Sequence, residues 1–213
     1  MVDLLEKRLL DRPLVAIARH IPPESTLAMA RALYAGGVRF LELTLNTEAA
    51  LSGISLLTEA FSGTDMVIGA GTVLGEDAAR RALKAGARFL VCPHTDPRVI
   101  RTALEAGALP LPGVMTPTDI AEALEAGARI LKLFPAGALE PDYIRQIRGP
   151  FDRTPFLAVG GIDLDNAAAF LEAGCIGWGI GGSLVDAKAI ARGDFARLED
   201  HARRYVALLE RGR

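Results

Sequence analysis

The chain has 213 residues, half of them hydrophobic, with a formal net charge of −2 and a positive mean hydropathy. This length predicts a single domain, residues 1–213, with a sizeable apolar core. The nearly balanced charge gives no general attraction to nucleic acid or to an anionic membrane surface. No apolar run reaches the roughly 18 residues of a membrane helix, and the N-terminus lacks a signal-peptide stretch. We therefore expect a cytoplasmic protein without nucleic-acid or membrane partners.

Residue types that bind metals are few and dispersed. Cys92 and Cys175 lack the spacing of a zinc site, and the three histidines, His20, His94 and His201, form no H-x-x-x-H cluster. We therefore expect neither a metal site nor a disulfide framework.

A short phrase recurs along the chain with the features of a helix end. It reads ALYAGG, ALKAGA, ALEAGA (twice) and FLEAGC, and an apolar run follows each copy within a few residues. Glycine there allows the positive φ that commonly ends a helix. Helix, glycine and strand repeating at intervals of roughly 20–25 residues is typical of βα units with a parallel sheet.

Eight apolar runs predict eight strands, separated by helical patterns. The predicted strands cover residues 13–18, 38–43, 66–71, 88–92, 109–113, 129–134, 155–159 and 176–180. One more helix precedes the first strand, and a helical pattern at 195–212 follows the last. This layout predicts an α/β fold, a (β/α)8 TIM barrel with an extra N-terminal helix. A doubly wound open sheet fits less well, because one open sheet rarely holds so many evenly spaced strands.

Two charged residues interrupt predicted strands of this barrel. Alternate residues of a strand share a face, so the leucines of RFLELTLN place Glu42 on the opposite face. The leucines of RILKLFP do the same for Lys132, which shares its face with Ile130 and Phe134. The leucine faces belong against the helices, so both charges are predicted to point into the lumen. A buried charge must be paired, solvated by a cavity or neutralised.

The choice of lysine at position 132 is informative. The chain has only four lysines, and its other positive side chains are arginines. Lysine can lose its proton and attack a carbonyl once desolvation lowers its pKa, whereas arginine cannot. The residues alone leave two interpretations open, a Schiff-base lysine and a structural ion pair between Lys132 and Glu42.

Glycine pairs follow the seventh and eighth predicted strands. The first pair precedes a helix expected near Leu164, and the second is expected at the start of another helix. Backbone N–H groups in such turns bind anions, and the loops after strands seven and eight commonly bind phosphate in these barrels. A phosphate site is the first interpretation, and tight turns alone are the alternative. The residues are Gly160, Gly161, Gly181, Gly182 and Ser183.

Other polar residues stand at the predicted ends of strands. Arg19 follows the first strand, where it can pair with an anionic substrate or remain solvated. Thr72 ends the third strand, in IGAGTV, and Pro93 shapes the loop after the fourth, in VCPHTD. His94 is interpreted first as a loop histidine and second as a ligand contact.

These motifs together resemble the 2-keto-3-deoxy-6-phosphogluconate (KDPG) aldolase family, which includes 4-hydroxy-2-oxoglutarate (KHG) aldolases. The resemblance covers nearly the whole chain and rests on AGGVRFLELTLNT, IGAGTV, CPH, PGVMTP, LKLFPA, VGGI and GIGGSL in this order. It implies a class I aldolase on a (β/α)8 barrel, a homotrimer without metal or other cofactor. The implied substrate is a phosphorylated keto acid: KDPG would give pyruvate and D-glyceraldehyde 3-phosphate. KHG would give pyruvate and glyoxylate.

The resemblance also implies residue roles. Lys132 would be the Schiff-base lysine and Glu42 the proton-transfer carboxylate, while Thr72 and Arg19 would contact the pyruvyl group or its carboxylate. The remaining implied substrate-binding residues, with the phosphate on the glycines and the serine, are Pro93, Phe134, Val159, Gly160, Gly161, Gly181, Gly182 and Ser183.

Three positions depart from the gluconate pattern. Asn46 replaces an arginine, Val159 replaces a threonine and Cys92 replaces a serine. The first two look more like the branch that acts on 2-keto-3-deoxy-6-phosphogalactonate, which is the alternative substrate. Loss of that arginine leaves Arg19 as the expected carboxylate partner. Alternatives of another class are a phosphosugar isomerase or epimerase, or a non-catalytic phosphate sensor, on the same barrel.

Overall fold

The computed structural model describes residues 1–212, and a parallel sheet forms its centre. The strand order is β5-β4-β3-β2-β1-β9-β8-β7-β6, and every neighbouring pair is parallel. The two outer segments, β5 and β6, follow each other directly in the chain, so the sheet curves into a barrel. The nine segments are β1 Leu14–Ala18, β2 Phe40–Thr44, β3 Val67–Gly71, β4 Phe89–Val91, β5 Leu109–Leu111, β6 Gly113–Val114, β7 Leu131–Leu133, β8 Phe156–Val159 and β9 Gly177–Ile180.

The fifth predicted strand is divided at Pro112 into β5 and β6. Proline has no N–H and cannot donate to a strand ladder. Its carbonyl oxygen still accepts the N–H of Lys132 at 2.9 Å. Because β5 pairs with β4 and β6 pairs with β7, the divided strand joins both sides of the sheet. The predicted (β/α)8 barrel is therefore confirmed, with one interrupted strand.

Helices surround the strands and close one end of the barrel. The extra N-terminal helix is confirmed as α1, whose Leu5 and Leu9 join the apolar cluster inside the barrel and close the end opposite the strand C-termini. No helix in residues 1–212 is both long and apolar enough to cross a membrane. The helices are α1 Val2–Asp11, α2 Pro23–Ala35, α3 Ala50–Ala60, α4 Glu76–Lys84, α5 Pro97–Glu105, α6 Pro117–Glu125, α7 Ala136–Ile147, α8 Ala167–Glu172, α9 Ala187–Ala191 and α10 Phe195–Arg211.

The recurring phrase ends five helices, as predicted. One glycine just after each of these helices has a φ between 71° and 105°, a region that side chains other than glycine rarely adopt. Each such turn redirects the chain into the next strand. The glycines are Gly37, Gly86, Gly107, Gly127 and Gly174.

Strand alternation divides the core into two layers. The leucines that flank Glu42 and Lys132 belong to the layer between strands and helices. Phe40 and Ile130, two residues before each charged residue, belong to the cluster inside the barrel. The predicted faces of both strands are therefore confirmed, and Glu42 and Lys132 share the inner face.

The helix after β8 begins later than predicted, at Ala167 instead of near Leu164. The side chains around it bond to the local backbone: the Asp163 carboxylate accepts the N–H of Asn166 at 3.2 Å, and the Asn166 amide oxygen accepts the N–H of Asp163 at 3.0 Å. Asp and Asn compete with helix formation in this way.

The helix after β9 also begins later, at Ala187 instead of near Ser183. Its N-cap is Asp186, whose carboxylate accepts the N–H of Lys188 at 2.8 Å. The preceding residues form a turn in which Gly181 O accepts two backbone N–H groups. The second glycine pair therefore lies in a turn before the helix.

Candidate active site

A cavity of about 760 Å³ opens at the C-terminal ends of the strands. The loops after several strands contribute to its wall, as is usual for sites in such barrels. All twelve predicted site residues line this one cavity: Arg19, Glu42, Thr72, Pro93, Lys132, Phe134, Val159, Gly160, Gly161, Gly181, Gly182 and Ser183.

Lys132 lies in the middle of β7, and its side chain is only 7% exposed. Its Nζ lies 4.6 Å from the centroid of the Phe134 ring. Burial lowers the pKa of Lys132, while the charge of nearby Glu42 opposes this effect. The amine is therefore closer to neutrality than an exposed lysine would be, which is what a nucleophilic amine requires.

Glu42 lies on β2 and is 2% exposed. Burial raises the pKa of its carboxyl from 4.5 to about 7, although the positive charges of Lys132 and Arg19 act in the opposite direction. Among the described residues, Oε2 of Glu42 has no hydrogen-bond partner. A carboxyl group with a pKa near 7 and a free oxygen can both accept and donate a proton near neutral pH.

The position of the Glu42 carboxylate depends on Gly71 at the end of β3. A Cβ atom at residue 71 would lie 1.5 Å from Oε1 of Glu42, so only glycine leaves room for the carboxylate. The motif IGAGTV thus supplies the surface on which Glu42 rests. Thr72, the next residue, lines the cavity with a φ of 55°, which is unusual for a non-glycine residue.

Lys132 and Glu42 form no direct ion pair. Within residues 1–212, no nitrogen–oxygen distance of 4.0 Å or less joins the two side chains. Their pKa values are displaced toward each other, with the carboxyl raised and the amine lowered. This pattern is typical of acid–base groups at functional sites, and it differs from a close structural ion pair.

The two glycine loops face the cavity with unused backbone donors. The N–H groups of Gly161, Gly182 and Ser183 donate to no acceptor in residues 1–212. At Gly181 and Gly182 no heavy atom of a described residue stands within 4 Å of where a Cβ would lie. The protein itself therefore does not require glycine at 181 and 182, and the space is available to a ligand.

Three residues considered from the sequence, His94, Cys92 and Asn46, lie outside the cavity wall. His94 is exposed, in agreement with its first interpretation as a loop histidine. Cys92 is buried, and burial raises the pKa of its thiol to about 12. Asn46 is exposed and also absent from the cavity wall, so of the two positions that suggested the galactonate branch only Val159 lines it.

In residues 1–212 no group of three or more His, Cys, Asp or Glu is placed to hold a metal ion.

Sequence reasoning missed part of the cavity wall. Strand alternation could have found Ile17, which shares the inner face of β1 with Val15. His20 gives no such signal, because its φ of 53° and its backbone bond to Thr47 Oγ1 are features of a loop. The residues missed are Ile17, His20, Ile162, Asp163, Gly179, Val185 and Ala187.

Sequence comparison identifies the family. Residues 5–201 match the family model described as KDPG and KHG aldolase. The chain belongs to this family. It is 38% identical over 177 residues to 2-dehydro-3-deoxy-6-phosphogalactonate aldolase of Escherichia coli K12, covering 82% of this chain and 85% of the relative. It is also 38% identical over 200 residues to 2-dehydro-3-deoxy-phosphogluconate aldolase of Pseudomonas aeruginosa, covering 93% and 88%. These relatives are aldolases, so the chain is classed with the aldehyde-lyases.

Solved structures agree with this assignment. A structure described as native KDPGal has a TM-score of 0.87 and 33% identity, covering 94% of this chain and 95% of that one. KDPG aldolase of Legionella pneumophila has a TM-score of 0.85 and 27% identity, covering 93% and 96%. In that crystal structure pyruvate is captured as a covalent carbinolamine intermediate. Carbinolamine formation is the first step of Schiff-base chemistry in a family relative.

Proposed function

We propose that this chain cleaves a 2-keto-3-deoxy-6-phosphoaldonate, with KDPG as the first candidate, into pyruvate and D-glyceraldehyde 3-phosphate. The observation that carries the proposal is a buried lysine with a lowered pKa, beside a buried carboxyl group, in a cavity at the mouth of the barrel. KHG, which would give pyruvate and glyoxylate, is a further substrate of the same chemistry.

The first step would be attack of neutral Lys132 Nζ on the C2 ketone of the substrate. The carbinolamine loses water and becomes an iminium, which withdraws electrons from the C3–C4 bond. Burial of Lys132 favours the neutral amine that this attack needs. The aromatic face of Phe134 and the apolar lumen keep bulk water away from the iminium.

Glu42 would then move the protons. As a carboxylate it removes the proton of the C4 hydroxyl, directly or through a water, and the C3–C4 bond breaks with release of the aldehyde. As an acid it protonates C3 of the remaining enamine, and hydrolysis of the iminium releases pyruvate. A pKa of about 7 suits both proton removal and proton donation, because the ionised and the protonated carboxyl are both accessible near neutral pH.

The two glycine loops would hold the phosphate of the leaving aldehyde. Their free N–H groups and the space at Gly181 and Gly182 support this role. Binding energy at the phosphate fixes the position of the reacting end of the substrate. Arg19, exposed at the mouth, would pair with the pyruvyl carboxylate together with Thr72.

Borohydride reduction in the presence of pyruvate tests this proposal. We expect a pyruvate-derived mass on the peptide that contains Lys132 in the parent protein. Lys132→Arg should lose the adduct, because arginine remains protonated. Lys84→Arg, a change at an exposed lysine of α4, is the matched control and should keep it. An adduct that persists in Lys132→Arg, or none in the parent, would contradict the proposal.

The galactonate epimer is a second candidate substrate, favoured by the valine at position 159 of the cavity wall. Measuring kcat/KM for the gluconate and galactonate substrates and for KHG side by side ranks the three. An isomerase, an epimerase or a phosphate sensor would bind a sugar phosphate without forming a borohydride adduct. The single domain of residues 1–213, the homotrimer and the cytoplasmic location remain predictions.

A further inference from the structure

The hydroxyl of Tyr205 is buried and makes no hydrogen bond of normal geometry with a described residue. Tyr205 lies on α10, its side chain is fully buried, and its hydroxyl has no hydrogen bond of normal geometry with any described residue. A buried hydroxyl normally finds a partner, because an unpaired one loses its bonds to water without replacement. An unpaired donor of this kind indicates a partner that is available in another state of the protein.

The neighbour of this hydroxyl is Ser183, a residue of the second glycine loop. Burial raises the pKa of the Tyr205 hydroxyl, and a hydrogen-bonding contact with the Ser183 side chain, outside normal geometry, lowers it. The Ser183 hydroxyl itself donates elsewhere, to the carbonyl oxygen of Ile162 at 2.8 Å. Ser183 also lines the cavity, so one face of this residue meets the substrate space and the other meets Tyr205.

Tyr205 is held rigidly in this position. Its ring makes an edge contact with Trp178 on β9, with centroids 6.3 Å apart. The indole N–H of Trp178 donates to the carbonyl oxygen of Ala167 at 3.0 Å. The Tyr205 hydroxyl therefore stays behind the second glycine loop in every rotamer of the Ser183 side chain.

We propose that Tyr205 is a positioning residue for the phosphate subsite, in which its hydroxyl donates to Ser183 Oγ while Ser183 donates to a phosphate oxygen of the substrate. This inference rests on the proposed function, because it assumes that the phosphate occupies the glycine loops. A serine hydroxyl has one proton, so Ser183 must leave the Ile162 carbonyl to bind phosphate. Ser183 Oγ then accepts a hydrogen bond from the Tyr205 hydroxyl. In this chain of two hydrogen bonds, the first strengthens the hydrogen bond that Ser183 donates to the phosphate.

Tyr205→Phe removes only the hydroxyl and tests the inference. We expect KM for the phosphorylated substrate to rise roughly three- to tenfold with kcat nearly unchanged, because one hydrogen bond that supports binding is lost. The rate of pyruvate trapping at Lys132 should not change, since pyruvate carries no phosphate. Tyr34→Phe is the matched control, because it removes a hydroxyl bonded to Asp65 at the opposite end of the barrel.

A second pair of variants separates positioning from a general structural role. In Ser183→Ala, adding Tyr205→Phe should raise KM no further, because the two hydroxyls act in one chain. Additive effects, or equal losses in substrate cleavage and in pyruvate trapping, would overturn the inference. Loss of pyruvate trapping in the parent protein would instead contradict the proposed aldolase chemistry, so the two failures are distinguishable.

Discussion

Nζ of Lys132 lies over the face of the Phe134 ring, 4.6 Å from its centroid. An aromatic face stabilises a cation only modestly, whereas a contact ion pair with Glu42 would hold the lysine charged. The absence of such a pair within residues 1–212 leaves burial as the main influence on the pKa of Lys132. Glu42 remains free to exchange protons, so the two groups suit separate roles in one reaction.

The pH dependence of cleavage should follow Glu42. Its carboxyl has a pKa of about 7, and only the carboxylate can remove the C4 hydroxyl proton. We expect kcat/KM to rise with pH through about 7 and Glu42→Gln to lose this rise, with kcat/KM lowered roughly 10²- to 10⁴-fold. Initial rates measured over a pH series check this. Full activity in Glu42→Gln would make Glu42 structural.

The stability of the protein should also depend on Glu42. Its folded pKa, about 7, lies above its ordinary value of 4.5, so the folded protein favours the protonated form. The stabilisation is complete below pH 4.5 and is lost as the pH rises through 7, by an amount of about 3 kcal/mol. Glu42→Gln lacks this titration. We therefore expect the parent protein to lose unfolding free energy relative to Glu42→Gln as the pH rises from 4.5 to 7.

Urea denaturation of both proteins at a series of pH values measures this difference. The lowered pKa of Lys132 has the opposite effect at higher pH, where the folded protein binds fewer protons at this lysine than the unfolded chain does. Lys132 is present in both proteins, so the difference between their stability curves reports Glu42. Parallel stability curves across that pH series would show that the Glu42 pKa is not raised in the fold.

Strand alternation predicted the inner face of the barrel well, because burial on both strand faces makes side-chain direction a simple function of position. Glu42 and Lys132 were placed on that face from the leucines beside them, and the structure agrees. The starts of α8 and α9 were wrong, since they depend on side-chain bonds of Asp163, Asn166 and Asp186 to nearby backbone. Such local hydrogen bonds leave no periodic pattern in the sequence, so periodicity does not predict where these helices begin.

The part of the cavity wall that loops contribute was harder to predict than the part that strands contribute. His20 lines the cavity because its backbone is left-handed, a conformation that residues other than glycine rarely adopt. Its residue type therefore did not predict this position. The unpaired hydroxyl of Tyr205 depends on a tertiary contact between α10 and the loop after β9. Contacts between distant segments of this kind cannot be inferred from local pattern.

Gly71→Ala should impair catalysis through Glu42. The new Cβ would lie 1.5 Å from Oε1 of Glu42 and would force the carboxylate out of its place. We expect kcat to fall roughly a hundredfold or more, because a displaced base cannot reach the substrate proton. The exchange of pyruvate methyl protons with solvent measures proton transfer at C3 directly.

Gly75→Ala is the matched control for this variant. No heavy atom of a described residue outside its immediate neighbours lies within 4 Å of a Cβ at residue 75, and its extended backbone accepts any residue. It should keep kcat near the parent value. Circular dichroism of both variants shows whether the barrel is intact, and an intact Gly71→Ala protein with normal exchange would disprove the link between Gly71 and the position of Glu42.

Substrate preference should respond to Val159, the buried valine at the end of β8 in the cavity wall. Val159→Thr keeps the side-chain shape but adds a hydroxyl that can bond to a substrate hydroxyl. We expect the ratio of kcat/KM for the gluconate substrate to that for the galactonate substrate to rise roughly five- to tenfold, the effect of about one net hydrogen bond. Val206→Thr makes the same change at the opposite end of the barrel and should leave the ratio unaltered. If Val159→Thr also left it unaltered, or favoured the galactonate substrate, residue 159 would not discriminate the two epimers.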